Sequence, residues 1–252
     1  MELVSMIKVN RKAIMKLIGD MHTHTLASGH AYGTIRENAK AAQETGLEVL
    51  GIAEHAPGVP GTCDPFYYCN YKVLPHVLYG VQMFYGSEIN ILNDGTLSLK
   101  QKWIDCLDYA IAGIHCSCYH DEGREKNTEN AIQCMKNEKV RIMSHPDDDR
   151  TSLNYENLVK AAKKYHVALE VNNSSLVKEE ERLNCRGNYI KMLELCEKEQ
   201  VPVVISSDAH DPSWVGRFSL AEELIEQEHF NENLILNTDK ERLIQFLTEK
   251  KS

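Results

Sequence analysis

No run of about 18 consecutive apolar residues occurs in the 252-residue chain, so the sequence offers no membrane-spanning helix. Nor is there an excess of positive charge. Lys and Arg number 28 against 37 Asp and Glu, a formal net charge of −9. Such a surface repels a phosphate backbone, which argues against long nucleic acid as a partner. A small anion held at a locally positive site remains compatible with it. The eight cysteines include no C-x-x-C pair, and a chain of this length can bury a core without disulfide staples. The opening "MELVSMIKVNRKAIMKLIGD" is too interrupted by charge for a signal peptide, so a cytoplasmic location and free thiols are expected. Cys116-Ser117-Cys118, the one close pair, reads as thiols at a strand end, with soft metal ligation the rival reading. Low-complexity linkers are also lacking.

What is present is an alternation of short apolar runs and helical patterns. The runs are 16–22, 48–55, 81–89, 109–115, 140–145, 167–173 and 201–210, near-continuously apolar as strands buried on both faces should be. Between them, Thr34-x-x-Glu37 reads as a capping box, residues 154–165 put Leu158, Ala161, Ala162 and Tyr165 on one helical face, and Ser219-x-x-Glu222 and Thr238-x-x-Glu241 open two further helices. "VLPHVLYG", with His76, reads as helical, and the Asn-Asp-Gly of 93–95 as a hairpin turn. Repeated strand–helix units predict a parallel sheet with helices outside, as a barrel or an open doubly wound sheet.

The strand ends carry the chemistry. They read "DMHTH", "AEH", "GSE", "GIH", "SHP" and "SDAH", delivering His22, His24, His55, Glu88, His115, His145, Asp208 and His210. In a parallel α/β domain all these ends lie on one side, where sites are built. Residues two apart in extended chain share a face, so His22 and His24 can reach one ion, and the same geometry is expected of Asp208 and His210. A lone His-x-His is weak evidence. Six of seven strand ends drawing on only eleven histidines is not. The others read as bystanders: His76, His166 at a helix end, His229 in an acidic stretch, and His120 beyond "CSCY". The run "VKEEER" (177–182) reads as a solvated face.

With His30 from "HTHTLASGH", nine candidates are too many for one tetrahedral ion and suit two or three with a bridging carboxylate. Imidazole and carboxylate donors suit zinc, with manganese or iron as alternatives. Three divalent ions against two carboxylates leave a positive site that favours a small phosphate monoester. A metal-bound hydroxide would be the nucleophile, and no Ser or Cys nucleophile is required.

In order and spacing, "DMHTHTLASGHAYGT", "GIAEHAP", "YGSEINI", "IAGIHCS", "NTENAI", "MSHPDD", "LEVNNSS" and "SSDAH" resemble the PHP superfamily (polymerase and histidinol phosphatase), most closely its stand-alone, YcdX-like phosphatase branch. The resemblance implies a distorted (β/α)7 barrel, TIM-barrel-like, over residues 16–252, with 1–15 as an extension. It implies a trinuclear metal site at the C-terminal rim: His22 and His24 with Glu88 and Asp208 on one ion, Glu88 bridging to a second held by His115 and His145, and His30, His55 and His210 on the third. Asp20 and Asn172 match polar positions near that site, where they would orient ligands or close strand ends. Glu54 departs from the family's usual Asp. The acids of "HPDDDR", Asp147 to Asp149, are expected to repel excess anionic charge, and Arg150 and Arg217 to be surface arginines or phosphate contacts. A metal-dependent phosphatase of small monoesters is therefore expected. The rivals are a histidinol-phosphate phosphatase, a 3′-5′ nuclease and a non-catalytic metal-binding module.

Overall fold

A computed structural model describes residues 15–251. The expected extension over 1–15 therefore falls, apart from Met15, outside the described residues. Seven strands form one parallel sheet: β1 (Gly19–Thr23), β2 (Val49–His55), β4 (Val81–Asn90), β5 (Tyr109–Gly113), β6 (Val140–Met143), β7 (Ala168–Asn172) and β8 (Val203–Ser206), paired in that order. The sheet curls until β1 approaches β8, where Thr23 bridges Ala209 and the His24 N–H donates to the Ala209 carbonyl at 2.8 Å. The result is a nearly closed α/β barrel. A two-residue strand, β3 (Val77–Leu78), adds antiparallel to β4. It corrects the helical expectation for "VLPHVLYG": the Tyr79-Gly80 turn, both at positive φ, makes this a hairpin with His76 just before it. The hairpin expected around 93–95 is present, closed by an Ile91–Leu97 bridge.

Helices cover the outside: α1 (Ile35–Glu44), α2 (Phe66–Cys69), α3 (Gln101–Ile104), α4 (Arg124–Met135), α5 (Tyr155–Tyr165), α6 (Asn173–Val177), α7 (Cys185–Glu199), α8 (Ser219–Gln227) and α9 (Lys240–Thr248). Thr34 and Glu37 form the expected reciprocal capping box of α1. Two other starts differ by one residue. Asp239, not Thr238, caps α9 by accepting from the Arg242 N–H, and Ser219 lies inside α8 without capping it. Among the described residues no helix is long and apolar enough to cross a membrane.

The barrel interior explains how the site is placed. Val49, Phe84, Tyr109, Ile111, Ile142, Ala168 and Val204 pack inside with Met21, and Leu243 and Leu247 of α9 join the same cluster. Gly51 and Gly86 make room for Tyr109: a Cβ on Gly51 would lie 2.2 Å from the Tyr109 hydroxyl, which donates to the Met21 carbonyl at 2.7 Å. Strand side chains alternate with period two, so the face that presents Val49 and Ala53 next presents His55, and the face of Phe84 next presents Gly86 and Glu88. In β7 the same face runs Ala168, Glu170, Asn172. Apolar filling thus gives way, one strand step at a time, to a polar upper layer.

Candidate metal centre

Glu88 stands at the middle of that layer, fully buried near the end of β4. Its two oxygens face different imidazole groups. Oε2 lies 3.2 Å from Nε2 of His22, 3.6 Å from Nε2 of His24 and 3.0 Å from Nδ1 of His55. Oε1 lies 2.8 Å from Nε2 of His145 and 3.2 Å from Nε2 of His115. Asp208 closes one side, with Oδ1 at 3.1 Å from Nε2 of His24 and 3.6 Å from Nε2 of His22.

A second collection of rings lies toward the mouth. His24 and His55 stack at 4.2 Å, His210 lies 4.3 Å from His24, and Nε2 of His30 is 3.1 Å from Nε2 of His210. His30 arrives there because Thr25 caps a short 3-10 turn over Leu26–Ser28 that ends at Gly29 with φ of 83°. A Cβ on Gly29 would meet the backbone of Gly61 at 2.3 Å, so only glycine fits this close approach. All nine side chains singled out in the sequence come to this one rim, buried at the floor (His22, His24, Glu88) and exposed at the mouth (His30).

Extended geometry does not account for Asp208 and His210. The strand ends at Ser206, and Asp208 has φ of 53°, so a turn and not a strand pairs them, with Nδ1 of His210 3.0 Å from the Asp208 carbonyl oxygen. His145, beyond β6, also has positive φ, 28°. Backbone held in this sparsely populated region for a non-glycine residue is characteristic of functional sites.

The donor set fits divalent cations. Three groups, His22–His24–Asp208, His24–His55–His210 and His55–Glu88–His115, each bring their ligand atoms within 4.8 Å of one another. Nε2 of His22, Nδ1 of His55 and Oε2 of Glu88 are buried without a hydrogen-bond partner, a costly arrangement that a coordinated cation would relieve. The electrostatics show tightly coupled charges: burial would lower His22 and His145, but the facing Glu88 and Glu170 carboxylates outweigh it and raise both. Burial pushes the Glu88 and Asp208 carboxyls up, but the facing histidines outweigh it and hold both well below the usual carboxylate range. Burial and the rings of His55 and His210 hold His24 well below its ordinary value, in the neutral form that ligates. Burial likewise lowers His30, His115 and His210.

Several supporting residues were not singled out from sequence. Glu170, fully buried on β7, accepts from Nδ1 of His22 at 2.8 Å and from the His145 N–H at 2.8 Å. It lies in the quoted "LEVNN", and its period-two relation to Asn172 was the available signal. Ser144 donates to Oε1 of Glu88 at 2.9 Å. Arg182, from the run read as solvated, instead donates to Asp147 and to the His145 carbonyl, tying down the loop after β6. Asp147 to Asp149 are correspondingly engaged, with Arg182, with Arg150, and with Asn184 and Asn188 respectively, so their charges are largely answered by neighbours.

Asn172 donates to Glu170 at 3.1 Å and to Asp208 at 3.3 Å, while its own Oδ1 accepts from Ser175 N–H at the start of α6. Asp20 accepts from the Ser207 and Gly216 N–H groups and so organises the loop around Asp208. Arg217 is exposed and donates to the Ser213 carbonyl. His120 is exposed and paired with Asn93 through its backbone. The cysteines are free. A cavity of about 370 Å³ adjoins the rim, lined by His30, His55, His115, His145, Arg150 and Arg182 among others.

A parallel barrel whose rim gathers imidazoles and carboxylates around shared oxygens defines the class of metal-dependent α/β-barrel enzymes. Residues 20–174 match the PHP domain, and the chain belongs to the PHP-domain family. It is 39% identical over 237 residues to a probable phosphatase of Clostridium novyi (strain NT), covering 94% of this chain and 96% of that protein. A probable phosphatase of Thermoanaerobacter sp. (strain X514) is 38% identical over 239 residues, covering 94% and 97%. Among solved structures, the fold is similar to histidinol phosphate phosphatase from Lactococcus lactis subsp. lactis Il1403, complexed with zinc, L-histidinol and phosphate. The TM-score is 0.59 at 17% identity, over 84% of this chain and 94% of that one.

Proposed function

We propose that the protein is a metal-dependent phosphoesterase of small phosphate monoesters, in the stand-alone YcdX-like branch, with nine ligands holding three divalent ions, zinc in the first instance. The observation that carries this reading is Glu88, whose two oxygens each face a different set of imidazoles. A carboxylate so placed could serve an ion on either side. Ions bound there would neutralise phosphoryl oxygens and make water a competent nucleophile at neutral pH.

The chain's own part is orientation. Glu170 accepts a hydrogen bond from the Nδ1–H of His22, which would leave Nε2 free to ligate. An imidazole that ligates does so in its neutral form, so ions held with Glu88 and Asp208 as the carboxylate ligands would leave an excess of positive charge for a dianion. The adjoining cavity of about 370 Å³ is at the small end of the range for metabolite sites, which suits a monoester better than a polynucleotide. Relatives named probable phosphatases over nearly the whole chain support the same reading.

The test is purified protein with its metal content measured by plasma mass spectrometry, assayed on a generic aryl phosphate and a panel of phosphorylated metabolites that includes histidinol phosphate. Hydrolysis that scales with bound metal is expected. Metal-replete protein inactive across the panel would defeat the catalytic claim and leave a metal-binding module. Nucleotide release from single-stranded DNA at physiological salt would favour a nuclease instead.

A further inference from the structure

We propose that Cys69 and Cys106 form a redox modification site: a low-molecular-weight disulfide converts the two thiols into an internal disulfide that staples α2 to the turn after α3, and a small thiol reopens it. The two residues are 37 positions apart in the chain, Cys69 at the end of α2 and Cys106 just beyond α3. The fold brings them together. The ring of Phe66 on α2 meets the ring of Trp103 on α3 edge-on, with centroids 6.4 Å apart. The Sγ atoms of Cys69 and Cys106 lie 2.6 Å apart. A disulfide sets its sulfurs about 2.05 Å apart, so closing the bond asks for only a small side-chain shift. Both thiols are partly exposed, which admits a small oxidant. The other cysteines are placed differently. Cys134 and Cys185 are buried and give their S–H to backbone carbonyls, Cys196 is fully buried in the apolar core, and Cys118 faces the Ser117 hydroxyl.

The exchange takes two steps. The Cys69 thiolate attacks one sulfur of a disulfide RSSR, forming a mixed disulfide and releasing RS⁻. The Cys106 thiolate then attacks the Cys69 sulfur, forms the Cys69–Cys106 bond and expels the second RS⁻. The two thiols give up two protons and two electrons, and RSSR becomes two RSH. Burial and the contact with Cys69 push the Cys106 thiol up to about 11, so Cys106 keeps its proton while Cys69 attacks. The second step joins sulfurs already side by side, and that proximity offsets the small thiolate fraction of Cys106.

The bond would lie behind the rim without entering it. Cys69 follows Tyr68, whose hydroxyl donates to the His55 carbonyl at 2.9 Å. Cys106 precedes Asp108, whose carboxylate accepts from the Tyr85 N–H of β4 at 2.8 Å. The closed loop contains the whole of β4, and closing it restricts the unfolded chain more than the folded one.

Full-length protein, reduced with glutathione, desalted and held with glutathione disulfide at about pH 8, is digested without reduction and mapped by mass spectrometry. A peptide joined through Cys69 and Cys106 is expected, lighter by two hydrogens than its two thiol peptides and opened again by glutathione. The oxidised protein should melt about 5 to 15 °C above the reduced protein. Cys106→Ser under the same treatment should carry glutathione on Cys69 and show no such rise. Wild-type Cys69 and Cys106 recovered as free thiols, or each capped separately by glutathione, would overturn the proposal whether or not the variant folds. So would a cross-link that leaves the melting temperature unchanged.

Discussion

Glu170 lies 2.8 Å from Nδ1 of His22, 148 residues away in the chain, and its other oxygen receives the His145 N–H at the same distance. One carboxylate on β7 thus orients a candidate ligand on β1 and anchors another beyond β6. Glu170→Gln retains the volume and loses the charge that favours an Nδ1-protonated His22. It is expected to weaken metal binding about 10- to 100-fold, with a proportionate fall in activity. Chelator competition with circular dichroism as a check on folding measures this. Unchanged affinity would mean that His22 orients itself.

Gly113 ends β5 directly beneath the centre. A Cβ there would lie 2.2 Å from the Ser144 hydroxyl, 3.1 Å from Oε1 of Glu88 and 3.2 Å from Cε1 of His145. Gly113→Ala should therefore displace Glu88 or His145. A shift approaching 1 Å at reacting groups can cost about 100-fold in rate. The expected result is a kcat down by about that factor with near-native secondary structure. Wild-type kcat would show that the loop after β6 gives way freely.

His30 stands at the exposed mouth, whereas His24 belongs to two groups at once. On the three-ion reading proposed above, His30→Ala should lower bound metal by about one equivalent and leave the rest, because only an outer ion would lose a ligand. His24→Ala should disturb more than one. Anomalous diffraction at the metal edge distinguishes the two patterns. Equal losses in both variants would contradict the separate outer ion.

Asp20 supplies a pH dependence. Burial pushes its carboxyl up to about 6, although Ser207 and Gly216 donate to it. A folded-state value above the unfolded one means that folding favours the protonated acid. Ionised Asp20 therefore costs stability above about pH 6, and that cost fades as pH falls toward 4. Glu88, Glu170 and Asp208 run the other way: held low, they stabilise at neutral pH and lose that contribution only as pH falls through their lowered values. A ¹³C carboxyl titration of the metal-free protein should find Asp20 near pH 6. A value near 4 would show that its hydrogen bonds outweigh burial.

Much of the fold and of the site's location could be read along the chain. Near-continuous apolar runs marked the seven parallel strands, because a strand buried on both faces has no polar side to alternate. Their shared polarity placed the metal-type residues on one rim, since parallel strands all end on the same side. The misreadings have local causes. "VLPHVLYG" has an apolar density that suits a short hairpin as well as a helix turn, and the left-handed Tyr79-Gly80 step decides it. Asp208 and His210 looked like an extended pair, but the chain turns at Asp208 once β8 has ended.

What the sequence alone determined is the inventory: which residue types end which strands, and hence what chemistry they can support. The resemblance of its motifs carried that inventory to a barrel with a metal rim. What only the tertiary structure decided is which atoms meet. Glu170 and Arg182 act on residues tens to more than a hundred positions away, and His30 arrives through a loop whose turn depends on the Gly29–Gly61 approach. Strand period and local propensity are short-range properties. Hydrogen-bond pairing across a closed barrel depends on the register and curvature of every strand in it, and no local pattern in the chain records that.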